Sequence, residues 1–167
     1  MVLVVENGTG LEAANVYADL HHAAAFHADR GRSPRGPPSL RAGTAAGGLL
    51  SATALLDSSY AWRGVILNPD QGLKLPRQTF LDRDFRQMTP ELQIARAADA
   101  VSLLALRLLE DPPGGAKISS ERFADYQVVY DGARKRRYPD IDAMLAGMHA
   151  AGGLGGGMRQ GQLVRWS

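Results

Sequence analysis

There is no cysteine among the 167 residues. That excludes disulfides, thiolate zinc sites and cysteine nucleophiles, and it permits a reducing compartment without requiring one. Long apolar runs are lacking too. The longest, residues 101–109, is interrupted by Arg107, and the opening MVLVVENG has no basic region, so neither a membrane span nor a signal peptide is expected. Charge of one sign is equally scarce: 19 Lys and Arg stand against 17 Asp and Glu, a formal +2. This is mildly basic and far from the dense positive stripe of a committed duplex binder. No G-x-S-x-G, H-E-x-x-H or G-x-x-x-x-G-K sequence occurs, and no internal repeat suggests a solenoid. Acids such as Asp82, Asp84, Glu91 and Asp125 come without a base or orienting partner in the sequence. No catalytic residue, cofactor or metal site is therefore assigned, and the chain is not expected to be an enzyme.

What is present is one chain of domain size, long enough to bury roughly 70% of the surface its unfolded form would expose. Residues 2–5 read as a short strand closed by the turn Asn7-Gly8-Thr9-Gly10. Asp19 caps a first helix that runs to Arg30 with Gly31 after it, with Leu20, Ala23, Ala24 and Phe26 or His27 as its buried stripe. Residues 30–39, with three prolines and three arginines, read as surface loop. Leu49, Leu50, Thr53, Leu56 and Tyr60 recur at helical spacing and predict a second helix over about residues 45–60, weakened early by Gly47 and Gly48.

Thr89-Pro90-Glu91 opens a third helix with a hydroxyl cap, a proline at the first position and an acid at the positive end of the dipole. Its apolar residues wrap nearly all round, which predicts a central helix or a subunit contact. Residues 118–130 alternate and predict a hairpin, and Pro139 opens a last short helix to Met148. The expected fold is mainly α: a helical bundle over residues 1–150 with a small β-hairpin at about 117–131, then a glycine-rich linker and an extended C-terminal arm over 151–167.

Three places draw a functional reading. Gly8-x-Gly10-x-x-Ala13 imitates a dinucleotide fingerprint, but no strand-helix-strand succession follows it, so no nucleotide site is assigned. His21, His22 and His27 lack the i, i+4 pairing of a metal site and read as ordinary helix histidines. Arg134, Lys135, Arg136 and Arg137 are the densest basic run, suited to phosphate or an acidic partner, with a solvated loop as the plainer reading.

The segment 60–77, YAWRGVILNPDQGLKLPR, must be ordered loop, because Pro69 and Pro76 each remove a donor and disfavour helix before them. Tyr60, Trp62, Gln71, Leu73, Pro76 and Arg77 are its expected anchors, with Ile66, Leu67 and Leu75 helping.

That segment, Y-x-W-x-G followed by Q-x-L-x-x-P-R, resembles a family of tailed-phage proteins labelled "DnaT-like single-stranded DNA-binding protein", which are similar in structural terms to head-to-tail adaptor proteins. The likeness extends to V-E-N-G-T-G-L-x-x-A-N-x-Y at 5–17, A-D-R-G at 28–31, A-T-x-x-L-D at 52–57 and A-L-R-L-L at 105–109. Leu75 departs from it, standing where the family usually places an aromatic before P-R.

The resemblance implies a structural virion protein of the neck between capsid and tail, assembled in the host cytoplasm. It would form a homo-oligomeric ring of about twelve copies that docks under the portal. Such a ring extends the DNA channel without sequence specificity and carries a stopper or tail-terminator protein, with no membrane involved. Ile141, Met144, Leu145 and Met148, with Leu163, Val164 and Trp166 beyond the linker, are then the expected portal-docking residues. The label itself implies the alternative, a single-stranded DNA-binding protein of replication.

Overall fold

A computed structural model describes residues 2–31, 42–79, 81–82, 86–110 and 138–149. Its elements in chain order are α1 (Leu20–Asp29), α2 (Ala42–Ser59), β1 (Val65–Ile66), β2 (Arg77–Gln78), α3 (Pro90–Glu110) and α4 (Pro139–Met144). The fold is mainly helical, as the periodicities predict, and carries a small antiparallel pair.

α3 is the axis of the bundle, and α2, α1 and α4 all pack on it. The reason lies in its composition. Val101 and Leu104 are fully buried, and so are the small residues Ala97, Ala98, Ala100, Ser102 and Ala105, which let neighbouring backbones come close on several sides. Gly48 does the same from α2: a Cβ there would lie 3.2 Å from Leu109 Cδ1, so this glycine marks a close approach between α2 and α3. Leu49, Ala52, Thr53 and Leu56 complete the facing stripe of α2.

Both predicted helix starts are realised by hydrogen bonds. Asp19 Oδ1 accepts from His22 N at 2.7 Å, and Thr89 Oγ1 accepts from Leu92 N at 3.4 Å. α1 ends at Gly31, whose φ of +65° and N–H to Ala28 O at 2.9 Å form the left-handed stop. Its buried residues are both Phe26 and His27, while Ala24 is exposed.

Four expectations change. Residues 2–5 do not form a strand. Val5 makes a single parallel bridge to Val16, held by Asn15 N and Val16 N donating to Val4 O and by Glu6 N donating to Val16 O.

The observed antiparallel pair is not the one predicted at 117–131, which lies outside the described residues. It joins the two ends of the 60–77 loop, pairing Val65 with Gln78 and Ile66 with Arg77. The prolines keep regular structure out of the middle of that loop but leave its ends free to pair. α4 is also shorter than predicted, ending at Met144, with residues 145–148 continuing as turn.

The fourth change concerns docking. Ile141, Leu145 and Met148 are fully buried in the chain's own core, and Met144 is partly buried against it. A short amphipathic helix does not have to wait for a partner when its own bundle offers the apolar face, so these residues are not surface anchors for a portal. The other docking residues, Leu163, Val164 and Trp166, and the linker and arm of 151–167 lie outside the described residues.

Candidate functional site

Residues 60–79 and the opening residues 6–18 fold onto each other in front of α2 and α3. The expected anchors meet here. Trp62 is buried beside Tyr60, ring centroids 5.5 Å apart, and bridges to His149, while Arg63 N donates to Met148 O at 3.1 Å. Tyr60 donates its hydroxyl to Asp142 Oδ1 at 2.5 Å, tying the loop to α4.

Gln71 closes the turn from within. Its Oε1 accepts from Asn68 N at 3.1 Å and its Nε2 donates to Leu73 O and Pro76 O. Arg77 sends its guanidinium to three carbonyls, those of Lys74, Trp62 and Gly64, at 3.0, 3.2 and 3.0 Å. Pro76, after a cis peptide bond, is buried, and Leu73 packs partly buried against the core. Leu75, standing where the resembled family prefers an aromatic, is fully buried. Ile66 is not an anchor: it and Val65 stand exposed on β1.

Three polar residues that the sequence reading passed over hold this region together. Gln93 on α3 is fully buried. Its Oε1 accepts from Arg77 N at 2.8 Å, and its Nε2 donates to Arg77 O at 2.8 Å and Met88 O at 3.1 Å, so a side-chain amide pairs with β2 as a neighbouring strand would. A glutamine inside an apolar helical stripe was the available signal.

Glu6 is buried as well, and its carboxylate accepts from Asn7, Gly8, Gly10 and Leu11 N at 2.8–3.1 Å. Gly8 and Gly10 take φ of +99° and +74° to aim those N–H groups inward. The turn that imitates a phosphate-binding fingerprint is thus an anion-binding nest, filled by the chain's own glutamate.

The third is Asp57, near the end of α2. It accepts from Tyr17 Oη at 2.8 Å and Lys74 N at 3.1 Å, and Tyr17 Oη in turn accepts from Leu75 N. Burial pushes the Asp57 carboxyl above its usual range, opposed by the Lys74 N–H, the Tyr17 hydroxyl and the Lys74 charge. The Trp62 indole N–H, which makes no hydrogen bond, adds only a smaller pull the same way. Tyr17 is raised well above its ordinary value, first by burial and then by the neighbouring Asp57 charge.

The other end of the bundle is more polar at its surface. Arg107 holds Asp140 in a two-bond pair, with Nη1 to Oδ1 at 2.7 Å, and this keeps the Asp140 carboxyl below its usual range. His22 Nε2 meets Asp99 Oδ1 at 2.9 Å, and His27 Nε2 lies 3.0 Å from Ser102 O, so two of the three α1 histidines bind α1 to α3. Among the described residues no group of three or more His, Cys, Asp or Glu is placed to hold a metal, and no helix is long and apolar enough to cross a membrane.

Arg134, Lys135, Arg136 and Arg137 lie outside the described residues. The charge of the chain is nevertheless unevenly divided. The described residues hold seven Lys and Arg against twelve Asp and Glu, a formal −5, and the rest of the sequence holds twelve against five, a formal +7. The described aromatics, Tyr17, Phe26, Tyr60, Trp62 and Tyr138, are all buried.

A family model described as "Putative DnaT-like ssDNA binding protein" matches residues 1–166. Neither the curated proteins nor the solved structures gave a match.

Proposed function

Since the chain belongs to the family of DnaT-like ssDNA binding proteins, we propose that it binds single-stranded DNA and that most of the affinity comes from phosphate contacts made by its basic segments. The observation that carries this reading is the clustering of basic residues in the sequence: residues 30–41 hold Arg30, Arg32, Arg35 and Arg41 and no acid, and Arg134, Lys135, Arg136 and Arg137 stand in a row, which suits contact with a polyanion.

The test is oligonucleotide binding across a salt series. The wild-type chain is expected to bind single strands with an affinity that falls steeply with salt, and replacing the four residues of the 134–137 run by Ser should lower the slope by about three counterions. Absence of binding to single strands at low salt overturns the reading.

A second reading keeps the DNA contact and changes its setting: a head-to-tail adaptor ring under the portal of a tailed phage, through which DNA passes. Its ground is the resemblance carried by the ordered motifs between residues 5 and 109. Since the α4 stripe is internal, portal contact in this reading falls to exposed residues such as Val65, Ile66, Leu81 and Leu92 and to the 163–166 segment. Co-sedimentation with assembled portal rings separates the readings: capture by rings supports the adaptor, and tight oligonucleotide binding without capture supports the replication role.

A further inference from the structure

Between α1, α3 and the start of α4 lies a cleft of about 430 Å³, lined among the described residues by Phe26, His27, Arg30, Leu103, Asp140 and Met144. Its volume falls within the range of small-molecule sites, and two of its features suit a flat ring that carries hydrogen-bond donors.

The first is a stacking surface that is not an aromatic. The Arg30 guanidinium lies over the Phe26 ring, 3.6 Å from its centroid, and Nη1 donates to Phe26 O at 3.2 Å. Arg30 is itself exposed, so a planar cation is held in place with one face on the protein. Guanidinium planes stack on nucleobases much as aromatic rings do.

The second is Asp140, whose carboxylate keeps acceptor capacity beyond the two bonds from Arg107. Buried His27, with its Nε2 against the Ser102 carbonyl, forms part of the wall between them.

We infer that this cleft receives one base of a bound single strand, stacked on the Arg30 guanidinium, with its amino or ring N–H groups directed to Asp140. The inference rests on the DNA-binding reading above and adds to it a base-contacting subsite that a paired base cannot enter.

The experiment compares a short single-stranded oligonucleotide with the same strand made abasic, which keeps the phosphates and removes the bases. Full-length wild type is expected to bind the abasic strand roughly five- to tenfold more weakly, the scale of one stacked base. In Arg30→Lys, which keeps the charge and loses the plane, that difference should shrink to under about twofold, with binding of the abasic strand unchanged. Arg30→Ala should also lose the difference, and melting curves check that both variants remain folded.

Equal binding of the two strands by wild type, or a difference that survives in Arg30→Lys, overturns the subsite while leaving phosphate-driven binding intact. Failure of wild type to bind either strand overturns the DNA-binding reading and the subsite with it.

Discussion

In α3 the contacts that hold the fold are apolar and numerous, spread over several sides of one cylinder, whereas in residues 60–79 they are polar and individually placed. Val101 and Leu104 lie among apolar and small side chains, with no single partner on which everything depends. The loop relies instead on Gln71, Arg77, Gln93 and Asp57, each of which satisfies particular backbone groups. The first kind of cohesion degrades gradually under mutation, because packing can partly relax. The second fails at a point, because a buried N–H or C=O that loses its partner retains its full desolvation cost.

The sharpest way to break this contrast is at Trp62, where the two kinds meet. Trp62→Ala should lower stability by about 3–5 kcal/mol, read as a fall in the denaturant midpoint, because it empties a site enclosed by Tyr60 and the residues near His149. An unchanged midpoint would mean that the loop is not held by its ring. Leu104→Ala in α3 should cost about 2–4 kcal/mol, at the level of an ordinary core cavity. Glu6→Gln should cost about 2 kcal/mol although its shape is conserved, because an amide presents N–H toward some of the four N–H groups that converge on the carboxylate. If Glu6→Gln proves silent, the nest does not depend on the charge.

The two regions also differ in legibility. Spacing in the sequence predicts α1, α2 and α3, with Asp19, Thr89, Pro90 and Gly31 at their ends, because caps and apolar periodicity act locally. The loop anchors Tyr60, Trp62, Gln71, Pro76 and Arg77 could be named from their residue types. Their partners could not, since Gln93, Asp57 and Asp142 lie 16, 40 and 82 positions from Arg77, Tyr17 and Tyr60. The apolar stripe of α4 is legible as a stripe, but the direction it faces is not. Periodicity reports that one face is apolar and says nothing about whether the cover comes from within the chain.

Acid–base behaviour separates the regions further. The native Asp57 carboxyl sits above its ordinary value, so the folded state takes up a proton before the unfolded state does as pH falls. Its contribution to stability therefore increases as pH drops through that raised value, levels off below the ordinary carboxylate range, and decreases again as pH rises. Asp140 and Glu91 are lowered and act in the opposite sense, losing stability as pH falls through their depressed values. Subtracting the stability profile of Asp57→Asn from that of wild type should isolate the first window, as a stability difference that grows as pH falls through it. A flat difference would show that burial does not govern this carboxyl.

The smallest effect on folding is expected from replacing Arg134, Lys135, Arg136 and Arg137 by Ser. Stability should stay within about 0.5 kcal/mol, as for surface substitutions generally, while oligonucleotide binding weakens. A large loss of stability would place these residues in the fold rather than at a DNA contact.

α3 is apolar around much of its circumference, and a few polar contacts help to fix its rotation: Gln93 with Arg77, Asp99 with His22 and Arg107 with Asp140. Each residue advances the helix by about 100°, so a slip of one position would turn the Gln93 amide away from β2 and leave Arg77 N and O without their partner. The glutamine thus acts as one of the index marks on the cylinder. Gln93→Leu would leave α3 comparably greasy while removing the mark, and the outcome to look for is a body that still collapses and stays helical yet no longer gives a single set of side-chain resonances.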